Sequence, residues 1–284
     1  MSRFVYSAFA DEISENFDIQ LESLAKLGIG MLELRGVDGK SFIEMNRAET
    51  KAVKKKLADS GVLLSALGTP LGKIPADGDM KKHLDLMEKI MDIGDTLGTK
   101  RLRVFSFYKP ADMGFASFRG TVFENIERML ERAEKRGFIL CHENEKDLFG
   151  YNAPREAELM EHFGGRLKAV LDPGNFAFCL EDASLGYPML KDFIEYFHIK
   201  DADETGAIVP PGKGVAGLED ILRQVSNDRD GDVILTIEPH LMDFTGLASL
   251  SNLDDIRHVY SFETPYAAFE YAFNCVKEMV ARIG

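Results

Sequence analysis

The sequence predicts a closed (β/α)8 barrel, a single α/β domain over residues 1–284. Two observations carry this reading. Eight short β-rich runs alternate strictly with longer segments of helical period. Successive runs begin about 33 residues apart, the length of one strand, one helix and two loops. A third observation is negative. No linker, low-complexity stretch or composition shift divides the chain, and no GxGxxG follows any strand, as it would in a doubly wound open sheet built around a nucleotide.

The strand candidates are RFVYSAFA from Arg3, GMLELR from Gly30, VLLSALG from Val62, RLRVFSF from Arg101, FILCHE from Phe138, LKAVLD from Leu167, YFHIK from Tyr196 and DVILTIE from Asp232. Between them, Phe17, Leu21, Leu24 and Gly28 keep one helical face apolar or small, as do Leu84, Met87, Met91, Gly94 and Leu97. Asn46 with Glu49 forms a capping box for NRAETKAVKKKLADSG, which Gly61 closes. The last helix, about Pro265 to Ile283, aligns Phe269, Phe273, Val276 and Val280. The segment 201–217, DADETGAIVPPGKGVAG, is long for a βα connection and reads as a lid or pocket wall. Its GKG lacks the spacing of a phosphate-binding P-loop.

With 45% apolar residues the chain can bury a sizeable core, which excludes disordered and fibrous classes. Cys141, Cys179 and Cys275 are far apart with no CxxC, which fits reduced, buried thiols in the cytoplasm. No uncharged run approaches the about 20 residues of a membrane span. A net charge of −13 argues against nucleic acid, because neutralising phosphates takes Lys and Arg. The expected partner is a small molecule, with the protein a monomer or homo-oligomer.

In a barrel the chemistry lies where the strands end at their C-termini. The fifth strand ends in Glu143, the sixth in Asp172, the seventh in His198 and the eighth in Glu238. One such residue is commonly a loop cap. Four on consecutive strands would repel and desolvate one another unless something positive neutralised them. Three carboxylates and an imidazole suit a divalent ion such as Mn²⁺, Mg²⁺ or Co²⁺, and also Zn²⁺. A second set is basic. Arg35, Lys73, Arg103, Lys146 and Lys200 gather at the same rim of an acidic protein, and as a group they point to an anionic substrate, although each has an acidic neighbour such as Glu33, Glu145 or Asp201 to pair with. His240 follows Glu238 by two residues and can reach the same mouth, whereas His83, His162 and His258 read as surface residues.

The motifs ENE, LDPGN, HIKD and IEPH, in this order and at strand ends, resemble the metal site of the sugar phosphate isomerase/epimerase family, the xylose-isomerase-like TIM barrels. ELRGVDGK, GTPLGKI and RLRVFSFY extend the likeness over nearly the whole chain. The resemblance implies that Glu143, Asp172, His198 and Glu238 ligate one divalent cation, commonly Mn²⁺. Members acting on free ketoses often carry a substrate-contacting His three residues after the metal Asp. Here that position is Asn175, a departure that counts against a ketohexose 3-epimerase.

The expected activity is a metal-dependent isomerase or epimerase of a small keto-sugar or sugar-acid derivative, phosphorylated or not. The ion would stabilise an enediolate, Glu143 and Glu238 would transfer the proton, and Lys200 or Lys146 would help hold the oxyanion. A keto-inositol-type dehydratase shares the first step. An endonuclease IV-type repair enzyme shares the barrel but uses more metal ions and a larger His set, and a non-catalytic sugar-binding relative is a further alternative.

Overall fold

A computed structural model describes residues 2–244 and 257–283. Its eight barrel strands are β1 (Ser2–Ala8), β2 (Met31–Leu34), β3 (Leu63–Gly68), β4 (Arg101–Val104), β5 (Ile139–Glu143), β6 (Leu167–Leu171), β7 (Ile194–Ile199) and β8 (Gly231–Ile237). All eight fall on the expected runs. They form one parallel sheet in the order β1-β8-β7-β6-β5-β4-β3-β2. β1 and β2 lie side by side without a hydrogen-bonded ladder among the described residues, so the barrel is nearly closed. The register slips between Leu32 and Glu33, beside this seam.

Helices α1 (Phe17–Leu27), α2 (Arg47–Ser60), α3 (Met80–Leu97), α4 (Phe115–Lys135) and α5 (Ala153–Phe163) cover the first strands. Short α6 (Pro173–Phe178) and α7 (Gly186–Leu190) follow β6, and α8 (Leu218–Asp228) and α9 (Pro265–Ile283) complete the outer layer. Local chemistry fixes their ends. The Asn46 side chain accepts from the N–H groups of Ala48 and Glu49 while Glu49 reaches back to the Asn46 N–H, and Gly61 stops α2 at φ 72°. No helix among the described residues is long and apolar enough to cross a membrane.

Strand residues alternate between the barrel interior and the helical layer. Ala66, Cys141, Val170 and Tyr196 form a small buried cluster with Ile139 and Ile234 packed on it. The parity that puts Cys141, Val170, Tyr196 and Ile234 together also aims Glu143, Asp172, His198 and Glu238 one or two steps further along the same faces. Cys141 is fully buried as expected, but Cys179 and Cys275 are only half-buried.

One residue departs from the sequence reading and one loop settles an alternative it left open. His83 is buried on the apolar face of α3, where its Nε2 accepts the Gly72 N–H at 2.9 Å. It lies on the same stripe as Met80, Leu84 and Met87, so helical period outranks its polarity; His162 and His258 are exposed as expected. Gly72 (φ 91°) must be glycine, because a Cβ there would lie 2.1 Å from the Phe105 carbonyl oxygen. The segment 201–217 is a pinned wall, not a loose lid. Asp201 and Ala202 pair antiparallel with Val209 and Ile208, and the buried Asp201 carboxylate accepts the N–H groups of Ala202, Gly212, Gly214 and Ala216.

Burial pushes the His83 imidazole down to about 4. Between that value and the free imidazole's about 6.5, the unfolded chain binds more protons, so stability falls as pH drops through this window. His83→Gln keeps an oxygen acceptor for Gly72 without a titrating group. Its melting temperature should therefore decline less than the wild type's between pH 7 and 4.5, and parallel declines would refute the assignment.

Candidate metal centre

The four strand ends converge. Glu143, Asp172, His198 and Glu238 are all buried, and one ligand atom from each lies within 4.8 Å of the others. His198 Nδ1 is 3.1 Å from both Glu143 Oε1 and Glu238 Oε2. The LDPGN turn brings Asp172 in. Gly174 sits so close to β7 that a Cβ would fall 2.4 Å from the Lys200 carbonyl, and the Asp172 side chain caps α6 by accepting the Asn175 N–H. Asn144 and Asp172 exchange two hydrogen bonds, of 2.8 and 3.0 Å, that tie the ends of β5 and β6.

Three buried atoms in this cluster, Asp172 Oδ2, His198 Nδ1 and Glu238 Oε2, form no well-directed hydrogen bond among the described residues, although Lys200 Nζ stands 3.0 Å from Asp172 Oδ2 and His198 Nδ1 stands 3.1 Å from Glu238 Oε2. A buried acceptor left unmet is costly. The far side of the imidazole explains its orientation, because His198 Nε2 is 3.0 Å from Glu33 Oε2. With its proton on Nε2 toward Glu33, the ring presents an Nδ1 lone pair to the cluster, the arrangement of a carboxylate–histidine–metal triad. The donor set, with three buried atoms that lack a well-directed hydrogen bond, fits a divalent cation.

Electrostatics agree. Burial alone would raise Glu143, but His198 and Arg103 outweigh it and hold the carboxyl at about 2. Burial lifts Asp172 to about 6 against the pull of Lys200. Burial would lower His198, yet Glu143, Glu33 and Glu238 drive it well above the ordinary imidazole range. A cluster of this charge takes up either a proton on His198 or a metal ion in its place.

Three of the expected substrate cations, Arg35, Arg103 and Lys200, pair with members of this cluster. Arg35 donates from Nη1 to Glu238 Oε1 at 2.8 Å and forks onto Asp11 at 2.8 and 3.0 Å. Arg103 Nη1 donates to Glu143 Oε2 at 2.8 Å. Lys200 Nζ is 3.0 Å from Asp172 Oδ2, and Lys73 bonds Glu145 Oε2 at 2.9 Å. Lys146 stands over the Phe178 ring at 5.3 Å. Asn175 Nδ2 donates to Glu143 Oε1 at 3.1 Å. His240, at φ 48°, lies with Nε2 3.2 Å from Glu238 Oε1 and 3.4 Å from Glu12 Oε1.

Sequence reasoning missed Glu33, Asn144, Asp11 and Glu12. Glu33 stands two residues before Arg35, so strand parity put it on the inward face; it also accepts from Tyr196 Oη at 2.9 Å and Thr236 Oγ1 at 3.3 Å. Its role gives a prediction. Glu33→Gln keeps the shape but removes the charge that supports His198, so Mn²⁺ affinity should fall about 10- to 100-fold by calorimetric titration. An unchanged affinity would mean that Glu33 is only a packing partner.

A (β/α)8 barrel with three carboxylates and an imidazole converging at its C-terminal rim belongs to the class built around such a cluster. The chain belongs to the xylose isomerase-like TIM barrel family, whose model matches residues 21–257. No protein of curated function matches it in sequence. Among solved structures it is similar to an IOLI protein with a bound zinc atom (TM-score 0.74, 15% identity, 99% of each chain covered). It is also similar to the 3-keto-D-glucoside 4-epimerase YcjR of E. coli (0.71, 13%, 98% of this chain and 100% of that one). The probable 3-DHS dehydratase AsbF of Bacillus anthracis is a third (0.68, 17%, 84% of this chain and 92% of that one).

Proposed function

We propose that the protein is a divalent-metal-dependent isomerase or epimerase of a small keto-sugar derivative. The observation that carries this reading is the pair of glutamates whose inner oxygens, Glu143 Oε1 and Glu238 Oε2, both stand 3.1 Å from His198 Nδ1. Two carboxylates from non-adjacent strands can thus flank one small substrate.

Glu143, Asp172, His198 and Glu238 would hold the ion; Mn²⁺ is the metal the sequence resemblance implies, and Mg²⁺, Co²⁺ or Zn²⁺ suits the same donors. Bound there, it supplies a Lewis acid that offsets the negative charge developing on a substrate carbonyl. The chain's own residues move the proton. One glutamate takes it from the carbon between carbonyl and hydroxyl. For an epimer the other glutamate must start protonated and gives its own proton to the opposite face; for an isomer the first returns the proton to the former carbonyl carbon while the hydroxyl proton passes to the carbonyl oxygen. Lys200, buried beside Asp172, is a proton and hydrogen-bond donor for the oxyanion.

The likeness to a probable dehydratase supports elimination as a second reading, since it begins with the same proton abstraction. The test is a screen of ketoses, ketose phosphates and keto-acids with Mn²⁺, read by proton exchange from D₂O. Exchange with at least one ligand is expected, and ultraviolet absorbance from an enone would assign elimination instead. No exchange and no enone with any ligand would end both readings.

A further inference from the structure

Away from the metal centre, the outer layer carries a cavity of about 650 Å³ between the start of α2 and the second half of α3. Buried Met45, Thr50 and Ile93 line it, and none of the four candidate metal ligands does. Its size suits a small organic molecule.

Charge decides the class of that molecule. Three acids line the cavity, and each is already engaged. Arg136 donates to Asp92 at 2.8 Å and to Asp95 at 2.6 Å, Lys100 pairs with Asp95, and the Glu44 carboxylate accepts the Ser41 N–H at 3.1 Å. Arg136 also bonds Glu88, whose other oxygen is held by Arg132. The two lining cations are in the opposite condition. Arg47 and Lys89 make no hydrogen bond, ion pair or ring contact among the described residues. An acid held by an arginine presents little net charge to a ligand, whereas an unpaired guanidinium and an unpaired ammonium present theirs in full.

The sequence around Arg47 acts in the same direction. The stretch RAETKAVKKK, residues 47–56, carries five cations against one acid in a chain of net charge −13. That acid, Glu49, is held by Lys40 at 2.6 Å. Lys51 stands four residues after Arg47 and Lys54 four after Thr50, so both follow the lining residues along α2, and neither has an ion-pair partner among the described residues. This face attracts anions although the protein as a whole repels them.

We propose that the groove between α2 and α3 is a binding site for a small phosphate monoester, with Arg47 and Lys89 on the phosphate and the organic body against Met45 and Ile93. A monoester carries about −1.5 to −2 charges at neutral pH, which matches two unpaired cations. The free Arg47 fork can take two phosphate oxygens while Lys89 adds a point charge. The site needs neither metal nor turnover, so it stands or falls separately from the isomerase or epimerase reading.

The test is a calorimetric titration of phenyl phosphate into the full chain, as purified and again after chelator. Saturable, submillimolar binding is expected in both states, weakening as salt screens the exposed cations. Arg47→Gln and Lys89→Gln should each weaken it by about tenfold or more, the cost of a charge-assisted hydrogen bond. Both variants should melt within about 2 °C of the wild type, because neither side chain makes a contact in the fold. Inorganic phosphate should bind about tenfold more weakly than the ester, since it has no apolar body to bury. Equal affinities for the two would overturn the assignment of an ester. Binding that neither substitution weakens, or that disappears with chelator, would place the anion elsewhere and overturn the site, as would the absence of saturable binding.

Discussion

Asp172→Asn is expected to remove metal binding and activity together while leaving the fold standing. The amide oxygen can still accept the Asn175 N–H that starts α6, so the LDPGN turn keeps its cap. What disappears is the charge of the carboxylate, whose buried Oδ2 is in ion-pair contact with Lys200. Losing a ligand should weaken Mn²⁺ binding by more than the about 10- to 100-fold that loss of an outer partner costs. The readout is thermal. A ligand at a hundred times its Kd stabilises the folded state by about 2.7 kcal/mol, so Mn²⁺ should raise the wild-type melting temperature and leave the variant's unmoved. With chelator present the two proteins should melt within a few degrees of each other. Leu171→Ala, a truncation in the buried core one residue earlier, should instead cost about 2 to 5 kcal/mol with or without metal. An Asp172→Asn protein that keeps its Mn²⁺-dependent shift would show that Asp172 is no ligand.

The fold was legible because a βα unit repeats its punctuation. The Asn46–Glu49 box, Gly61 and the apolar stripe of α3 are local signals, and each forms where local chemistry asks. The four candidate ligands were legible for a related reason: parallel strands deliver their last inward residue to one rim, whatever the sequence distance between them. The charges around them were not legible. Arg35 finds its partners at Asp11, Glu12 and Glu238, 24, 23 and 203 residues away, and nothing in local sequence chooses among the carboxylates within reach of a long side chain. By sequence the cations stand beside near neighbours such as Glu33, Glu145 and Asp201, whereas the fold pairs Arg103 with Glu143 and Lys200 with Asp172; the Lys73–Glu145 contact does join a cation to an acid named there. Glu33 was passed over because it was weighed as a neighbour of Arg35, although strand parity sends it to His198. His83 shows the opposite failure, a polar residue assigned to solvent although its spacing from Met80 and Met87 had already placed it inside.

Glu143→Gln and Glu238→Gln are expected to cut turnover by about 10² to 10⁴ each, the usual cost of losing a general base. The geometry adds a condition. Each glutamate gives one oxygen to an arginine and turns the other toward His198, but a glutamine has one oxygen for both tasks. If that oxygen stays with Arg103 or Arg35, an NH₂ group faces the cluster and metal binding weakens. Exchange must therefore be measured at Mn²⁺ concentrations shown to saturate each variant, so that a missing base is not confused with a missing ion. Under that condition the variants separate the mechanisms. In a two-base epimerase each variant still exchanges the proton of one epimer with D₂O, because the surviving glutamate faces one side of the planar intermediate, while interconversion fails in both. In a one-base isomerase, one variant loses all exchange and the other keeps most of it. Wild-type exchange in both variants with metal bound would remove these glutamates from proton transfer and leave them as ligands only. The base would then have to be sought among the remaining buried groups at the rim, with Lys200 and His240 the nearest to Asp172 and Glu238 respectively.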